Sequence, residues 1–180
     1  MKRTIAFSAT ALLAFPILTQ LGCSASINID GDSATSYSRV DHSSIDAVLD
    51  GWHQAAAAGE LKPYIESMTE GSVFMGTDVS ERWTRDELQG YAEQYFGDGE
   101  GWVYVPRDRH IRTNAFGDIA WIDEVLDNEK YGVLRGTGVL KRNGDVWKIA
   151  HYSLTFLVPN ESAKDVVEVI RGGGSMDSGG

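Results

Sequence analysis

Apolar residues recur at steps of three and four through Ile45, Val48, Leu49, Trp52, Ala55 and Ala56. With Ser43 or Ser44 ahead as N-cap and Gly59 behind as a stop, this pattern predicts an amphipathic helix. A second, shorter stripe runs through Leu61, Tyr64, Ile65 and Met68, and Pro63 is tolerated in its first turn. Thr84-Arg85-Asp86-Glu87 has the form of a capping box, opening a third helix through Leu88, Tyr91, Tyr95 and Phe96 to Gly97. Between the second and third helices, Val73-Phe74-Met75 reads as a short strand. After Gly101 the period falls from 3.6 to 2. Turn signals at Asn114 to Asp118, Asp127 to Lys130, and Asn143-Gly144 cut the remainder into four strands of an antiparallel meander. Helices first and long strands after predict an α+β domain, in which three N-terminal helices cover one face of a curved sheet.

Turn lengths set the register, and the register sets which side chains share a face. A two-residue turn at Asn143-Gly144 puts Leu140 opposite Trp147, Gly138 opposite Ile149 and Gly136 opposite His151. A four-residue loop at 127–130 pairs Leu126 with Tyr131 and so brings Trp121 opposite Gly136. One face then gathers Trp121, Asp123, Val125, Leu134, Leu140, Trp147, Ile149, His151 and Ser153. The other carries Ile122, Glu124, Arg135, Thr137, Lys148 and Tyr152. The first set is the more apolar and is expected to meet the helices, which places Asp123 and His151 inside. The turn at 115–117 leaves two choices. A three-residue loop lets Arg109 face Asp123 and pairs Ile111 with Trp121, the preferred arrangement; a two-residue loop sets His110 beside Trp121.

The ends of the chain read differently. Lys2 and Arg3 precede an apolar stretch from Thr4 to Leu18, the form of an export signal, which Pro16 and its length keep from being a membrane span. Leu18-Thr19-Gln20-Leu21-Gly22-Cys23-Ser24 resembles the end of a bacterial lipoprotein signal, with Cys23 as the lipid-attachment residue and new N-terminus, and with Gln20 in place of the usual apolar residue three positions before the cysteine. Ser24 resembles the pattern of lipoproteins sent on to the outer membrane. Cys23-Ser24-Ala25 also reads as a small-x-small cleavage site, the soluble periplasmic or secreted alternative. The expected organisation is an export signal over 1–22, a flexible polar tether over 23–42, a folded domain over 43–160 and a flexible tail over 161–180. The expected location is the bacterial cell envelope, lipid-anchored and facing the periplasm.

Composition narrows the chemistry. The chain has 16 Lys and Arg against 26 Asp and Glu, a formal net charge of -10, which opposes nonspecific binding to nucleic acid or anionic lipid headgroups. Any membrane contact is therefore expected through the lipid anchor alone. One cysteine excludes an internal disulfide, and the four histidines, at 42, 53, 110 and 151, have no metal-ligand spacing. No metal site is expected. Gly132, Gly136 and Gly138 sit on alternate positions of one strand and open no helix, so they do not form a phosphate loop; they let the sheet bend or make room for bulky neighbours. Glu66, Glu70, Glu81 and Glu87 read as solvated helix-edge charges.

Three segments carry a resemblance: Thr77-Asp78 with Glu81-Arg82-Trp83, Ala120-Trp121, and Arg135-Gly136-Thr137-Gly138-Val139-Leu140 leading to Trp147-Lys148-Ile149-Ala150-His151-Tyr152. They resemble the SnoaL-like branch of the nuclear transport factor 2 (NTF2-like) superfamily over about residues 43–160. The resemblance implies a cone, with three helices closing over a strongly curved antiparallel sheet and a pocket at the open end. It also implies homodimerisation through the sheet's outer face. Family members include polyketide cyclases, ketosteroid isomerases, dehydratases and noncatalytic association domains, and the isomerase and cyclase chemistry needs no cofactor. An inward Asp123 and His151 form the expected general acid/base pair. Trp52, Tyr64, Phe74, Trp83, Tyr95 and Trp121 are the aromatics expected to line the cavity, with Arg109 and Ser153 as polar contacts to a small-molecule ligand. A structural ion pair between Arg109 and Asp123 is the alternative for that arginine. Two functions result: an exported module that binds a small apolar or amphipathic molecule or self-associates, and a cofactor-independent isomerase, cyclase or dehydratase.

Overall fold

A computed structural model describes residues 41–97 and 101–173. The export signal, Cys23, the tether up to residue 40 and the last seven residues lie outside the described residues. The elements in chain order are α1 (Ser43–Ala58), α2 (Leu61–Glu66), β1 (Met68–Met75), β2 (Arg82–Thr84), α3 (Arg85–Phe96), β3 (Val105–Thr113), β4 (Ile119–Asn128), β5 (Gly132–Asn143), β6 (Val146–Phe156), a 3₁₀ turn (Asn160–Ser162) and α4 (Ala163–Gly173). The helix in α4 corrects the expected tail, since ordered structure continues through residue 173.

Local chemistry accounts for the helix ends. The Asp41 carboxylate accepts the backbone N–H and hydroxyl of Ser43 at 3.0 and 2.7 Å, so the N-terminus of α1 is closed by Asp41 and not by Ser43 or Ser44. Gly59 takes φ 65° at the other end and lets the chain turn off into α2. The capping box forms as expected: the Glu87 N–H donates to Thr84 Oγ1, and Glu87 Oε2 accepts the Thr84 N–H at 2.8 Å.

The six strands form one sheet in the order β2-β1-β6-β5-β4-β3. The meander β3 to β6 is antiparallel, while β1 joins β6 in parallel and carries β2 on its far edge. The three N-terminal helices pack over the concave face. There Ile45, Leu49, Ile65, Leu88 and Ala92 meet Leu126, Leu134, Leu140, Trp147 and Ile149, all buried. The architecture is thus α+β, a curved and unclosed sheet under a helical lid.

Two turns and two bulges differ from the expected register. The β4–β5 loop spans three residues, Glu129 to Tyr131, closed by Asn128 pairing with Gly132 at φ 73°. Asn128 Oδ1 accepts the N–H of Lys130 and of Tyr131 at 3.0 and 2.7 Å, which winds the turn tighter than a four-residue loop. Leu126 consequently faces Leu134 and not Tyr131, and the whole of β4 is reversed: Ala120, Ile122, Glu124 and Leu126 point inward. The β5–β6 turn is Gly144-Asp145, with Gly144 at φ 62° and Asn143 paired to Val146. That displacement by two preserves parity for Trp147 and Ile149. A bulge at Ala150, between the pairs Leu140–Ile149 and Val139–His151, then reverses it, sending Tyr152 and Leu154 inward and His151 and Ser153 outward. In β3 an extra residue beside Asp108, at φ 50°, reverses the strand's parity, so that Pro106 before it and Arg109 and Ile111 after it take the same side as Leu126 and Ile122.

Candidate functional site

The inner face builds a site around Glu124 in place of Asp123. Glu124 is 0% exposed, and its carboxylate is held from three sides. Its Oε1 lies 2.8 Å from His53 Nε2 and accepts the Tyr152 hydroxyl at 2.7 Å, while Oε2 accepts the Arg109 Nε–H at 2.7 Å. Burial by itself would push the Glu124 carboxyl up, but the hydrogen bond and charge of His53, the Arg109 charge and the Tyr152 hydroxyl outweigh it and hold the pKa at about 2. Glu124 is therefore ionised, and His53 Nε2 is the donor toward it.

Each partner arrives from a different element. His53 follows Trp52 in α1, four residues after Leu49 and three after Asp50, at the edge of the stripe that faces the sheet. Arg109 comes from the β3 bulge, and its Nη1 continues to Asp46 at 2.9 Å and Asp50 at 2.8 Å on α1. Burial opposes its charge, but Glu124, Asp46 and Asp50 keep the guanidinium firmly protonated. Tyr152 is raised far above an ordinary phenol by burial and then by the Glu124 charge, so it remains a donor. Gly136, opposite Leu154, is the space that admits Tyr152: a Cβ there would collide with the tyrosine hydroxyl.

His53 and Tyr152 reach the wall of a cavity of about 670 Å³ between the helices and the concave sheet. A chain of rings walls it. Trp52 stacks on Tyr64 with centroids 5.1 Å apart, and tilts against Tyr152 at 4.6 Å. Phe74 stacks between Trp83 at 6.0 Å and Tyr152 at 6.1 Å. Trp83 continues to Tyr91 at 4.5 Å, and Trp102 lies on Phe96 at 4.7 Å. Trp102 is set by its neighbour: Gly101 passes so close to the carbonyls of Ala56 and Ala57 that no side chain would fit, and the Trp102 N–H donates to Ala56 O at 2.8 Å. Tyr104, Tyr131, Glu81, Glu129 and Lys130 complete the lining.

The expected site residues divide cleanly. Trp52, Tyr64, Phe74, Trp83 and Tyr95 line the cavity. Trp121 does not; it is 48% exposed on the outer face. Asp123 is exposed beside His110 and Thr137, and His151 and Ser153 share that outer face. Strand β5 separates Asp123 from His151, so the expected acid/base pair is not assembled and neither residue reaches the cavity. Arg109 is inward and ion-paired, but with Glu124 and not Asp123, and its guanidinium is held by three carboxylates away from the cavity lining. His53, Glu124, Tyr152, Tyr91, Trp102, Tyr104 and Tyr131 were not anticipated; the signal for His53 was a polar residue on an otherwise apolar helix stripe. Among the described residues, no group of three or more His, Cys, Asp or Glu is placed to hold a metal ion.

A helical lid over a curved sheet, with an aromatic cavity between, defines the class of cone-shaped pocket domains. The SnoaL-like domain family matches residues 45–159, more than half of the chain, and the protein belongs to that family. Solved structures agree on the fold. An NTF2-like protein of unknown function from Pseudomonas putida is 17% identical with a TM-score of 0.57, covering 67% of this chain and 89% of its own. A candidate dehydratase of the NTF2-like family from Streptomyces avermitilis is 13% identical with a TM-score of 0.56, covering 65% and 96%. A ketosteroid isomerase-like protein from Erwinia carotovora is 19% identical with a TM-score of 0.50, covering 65% and 96%. Comparison with curated proteins gives no match.

Proposed function

We propose that this domain binds a small, flat, largely apolar molecule between its helices and the concave face of its sheet. The observation that carries the reading is the cavity of about 670 Å³ walled by Trp52, Tyr64, Phe74, Trp83 and Trp102, within the volume range of small-molecule sites. Aromatic walls suit a planar ligand, since stacked or edge-on rings add to simple area burial. Native mass spectrometry of protein purified from its own cells is expected to release such a molecule. Repeated preparations without one, together with no binding of planar aromatic probes, would refute the reading.

Acid/base chemistry is a second reading, favoured by one arrangement: an imidazole and a phenol at the cavity wall, both fixed on one ionised carboxylate. With Nε2–H committed to Glu124, proton exchange by His53 falls to Nδ1. The reaction class comes from the relatives above, a candidate dehydratase and a ketosteroid isomerase-like protein. A carbonyl ligand incubated with the protein in D₂O is expected to gain deuterium beside the carbonyl, and His53→Ala to abolish the exchange. Exchange at the uncatalysed rate with a bound ligand would leave binding alone.

Export and self-association belong to the same proposal. Lys2-Arg3 with the apolar stretch to Leu18, and Cys23 after Leu21-Gly22, support a lipid-anchored envelope protein; Cys23→Ala is expected to release it from the membrane fraction. No helix among the described residues is long and apolar enough to cross a membrane. Trp121 exposed on the outer face supports association of two copies through the sheet, and a monomer in sedimentation at all concentrations would remove that part.

A further inference from the structure

The mouth of the cavity differs in chemistry from its interior. Glu129, Lys130 and Tyr131 line it as exposed residues, and Glu81, Tyr91 and Tyr104 as half-buried ones, whereas Trp52, Tyr64, Phe74 and Tyr152 are buried. The Glu81 carboxylate is held in position. Its Oε2 accepts the Asp78 N–H at 3.1 Å, and its backbone O accepts the Gly76 N–H at 2.8 Å, closing the 76–81 loop. A Cβ on Gly76 would occupy the place of that carboxylate oxygen, so glycine at 76 is what lets the acid lie against the loop and line the cavity.

Among the described residues neither Glu81 nor Glu129 has a cation within ion-pair distance. Among the described lining residues the one cation is Lys130, whose Nζ lies 5.0 Å from the centroid of Tyr131, on the ring and not on an acid. A tyrosine at this rim therefore already takes a positive charge from the chain itself. Burial first, then Tyr131 and Glu81, raise the Tyr104 phenol, so the Glu81 charge is felt across the mouth.

We propose that the ligand's outer end is an organic ammonium group, a protonated or quaternary amine, seated between Glu81 and the faces of Tyr104 and Tyr131 while its apolar body fills the aromatic interior. The proposal rests on the cavity-binding reading and adds the charge of the occupant. A carboxylate or phosphate at the same place would meet two acids and one flexible lysine. A cation meets the same lysine, but against it two acids and electron-rich rings, the combination used in ammonium recognition.

Two isosteric probes that differ by one charge test it: (4-hydroxyphenyl)trimethylammonium and 4-tert-butylphenol, titrated by calorimetry into the folded wild-type protein and two variants. The wild type is expected to bind the ammonium about five- to thirtyfold more tightly, the range that one to two kcal/mol of cation–π and charge interaction corresponds to. Glu81→Gln keeps an oxygen for the Asp78 N–H and removes the charge; Gly76→Ala keeps the charge and displaces it. Both are expected to cut the ratio several-fold, down to the part that the tyrosine faces alone supply. Equal binding of the two probes to the wild type, or tighter binding of the neutral one, would overturn the inference and leave the cavity reading standing. A preference of undiminished size in both variants would place the cation away from Glu81 and also overturn it. Failure of both probes to bind would overturn the cavity reading with it.

Discussion

Replacing Glu124 by glutamine tests the buried cluster in both stability and pH dependence. The carboxyl has an ordinary pKa of 4.5 and sits at about 2 in the folded protein. At about 1.4 kcal/mol for each tenfold change in proton affinity, that difference contributes about 3 kcal/mol of folding free energy. Because the folded value is the lower one, the contribution is complete above pH 5 or so and disappears as pH falls through about 2. Glutamine cannot ionise, so the variant has no such titration; at neutral pH it also leaves Arg109 with only Asp46 and Asp50, both about half exposed, as anionic partners. Urea unfolding followed by tryptophan fluorescence, at intervals from pH 7 to pH 2, is expected to show the variant about 3 kcal/mol or more less stable at neutral pH. The gap should narrow across pH 5 to 2. Asp41, Asp78 and Glu87, each lowered by hydrogen bonds from Ser43, Ser80 and Thr84 respectively, give an acid limb common to both proteins. A gap of constant size across that window would show that Glu124 is not held ionised by its neighbours and would refute the account of the site.

Gly136→Ala is expected to cost about 1–3 kcal/mol, because the new methyl group displaces the Tyr152 hydroxyl. Adding Tyr152→Phe removes the nearest colliding atom but leaves ring carbon Cζ in the way, so thermal melts of the double variant should show less than the sum of the two losses; strict additivity would place the clash elsewhere. Thr84→Ala removes the side chain that accepts the Glu87 N–H and half of a reciprocal cap, and should lower stability in urea by about 1 kcal/mol. Asp123→Asn and His151→Ala lie on the outer face, and each should leave affinity for a planar aromatic probe unchanged and stability within about 0.5 kcal/mol; a tenfold loss of affinity in calorimetry would return these two residues to the site.

The helices were readable because their signals are local. Ile45 to Ala56 states its own period, Thr84 and Glu87 state their own cap, and Gly59 marks its own stop. Five of the six expected cavity aromatics were legible for the same reason: Trp52, Tyr64 and Tyr95 ride on helices, and Phe74 and Trp83 lie close to them in sequence. The short strand β2 was not legible because it is only three residues long and follows a six-residue loop, and the parallel pairing of β1 with β6 because it joins strands far apart in sequence.

The expected acid/base pair, Asp123 and His151, fails for a different physical reason. Which side of a sheet a residue faces is a parity, accumulated over every turn and bulge between it and its partner, so one miscounted residue relocates a whole strand. Asn128 folds its amide oxygen into the β4–β5 turn and shortens it by a residue; that turned Asp123 out and Glu124 in. Ala150 adds a residue to β6, and that turned His151 out and Tyr152 in. The same two irregularities thus exchange one acid for the next and a histidine for a tyrosine, while the histidine of the site comes from α1. Gly136 is the residue that ties these shifts together. Its missing side chain has a purpose only if Tyr152 points inward toward Glu124, whereas the expected register gave it His151 and Trp121 as neighbours. A buried glycine between an acid and a large aromatic is therefore a physical check on strand parity, one that the alternation of apolar and polar residues, nearly balanced on the two faces of β4, could not supply.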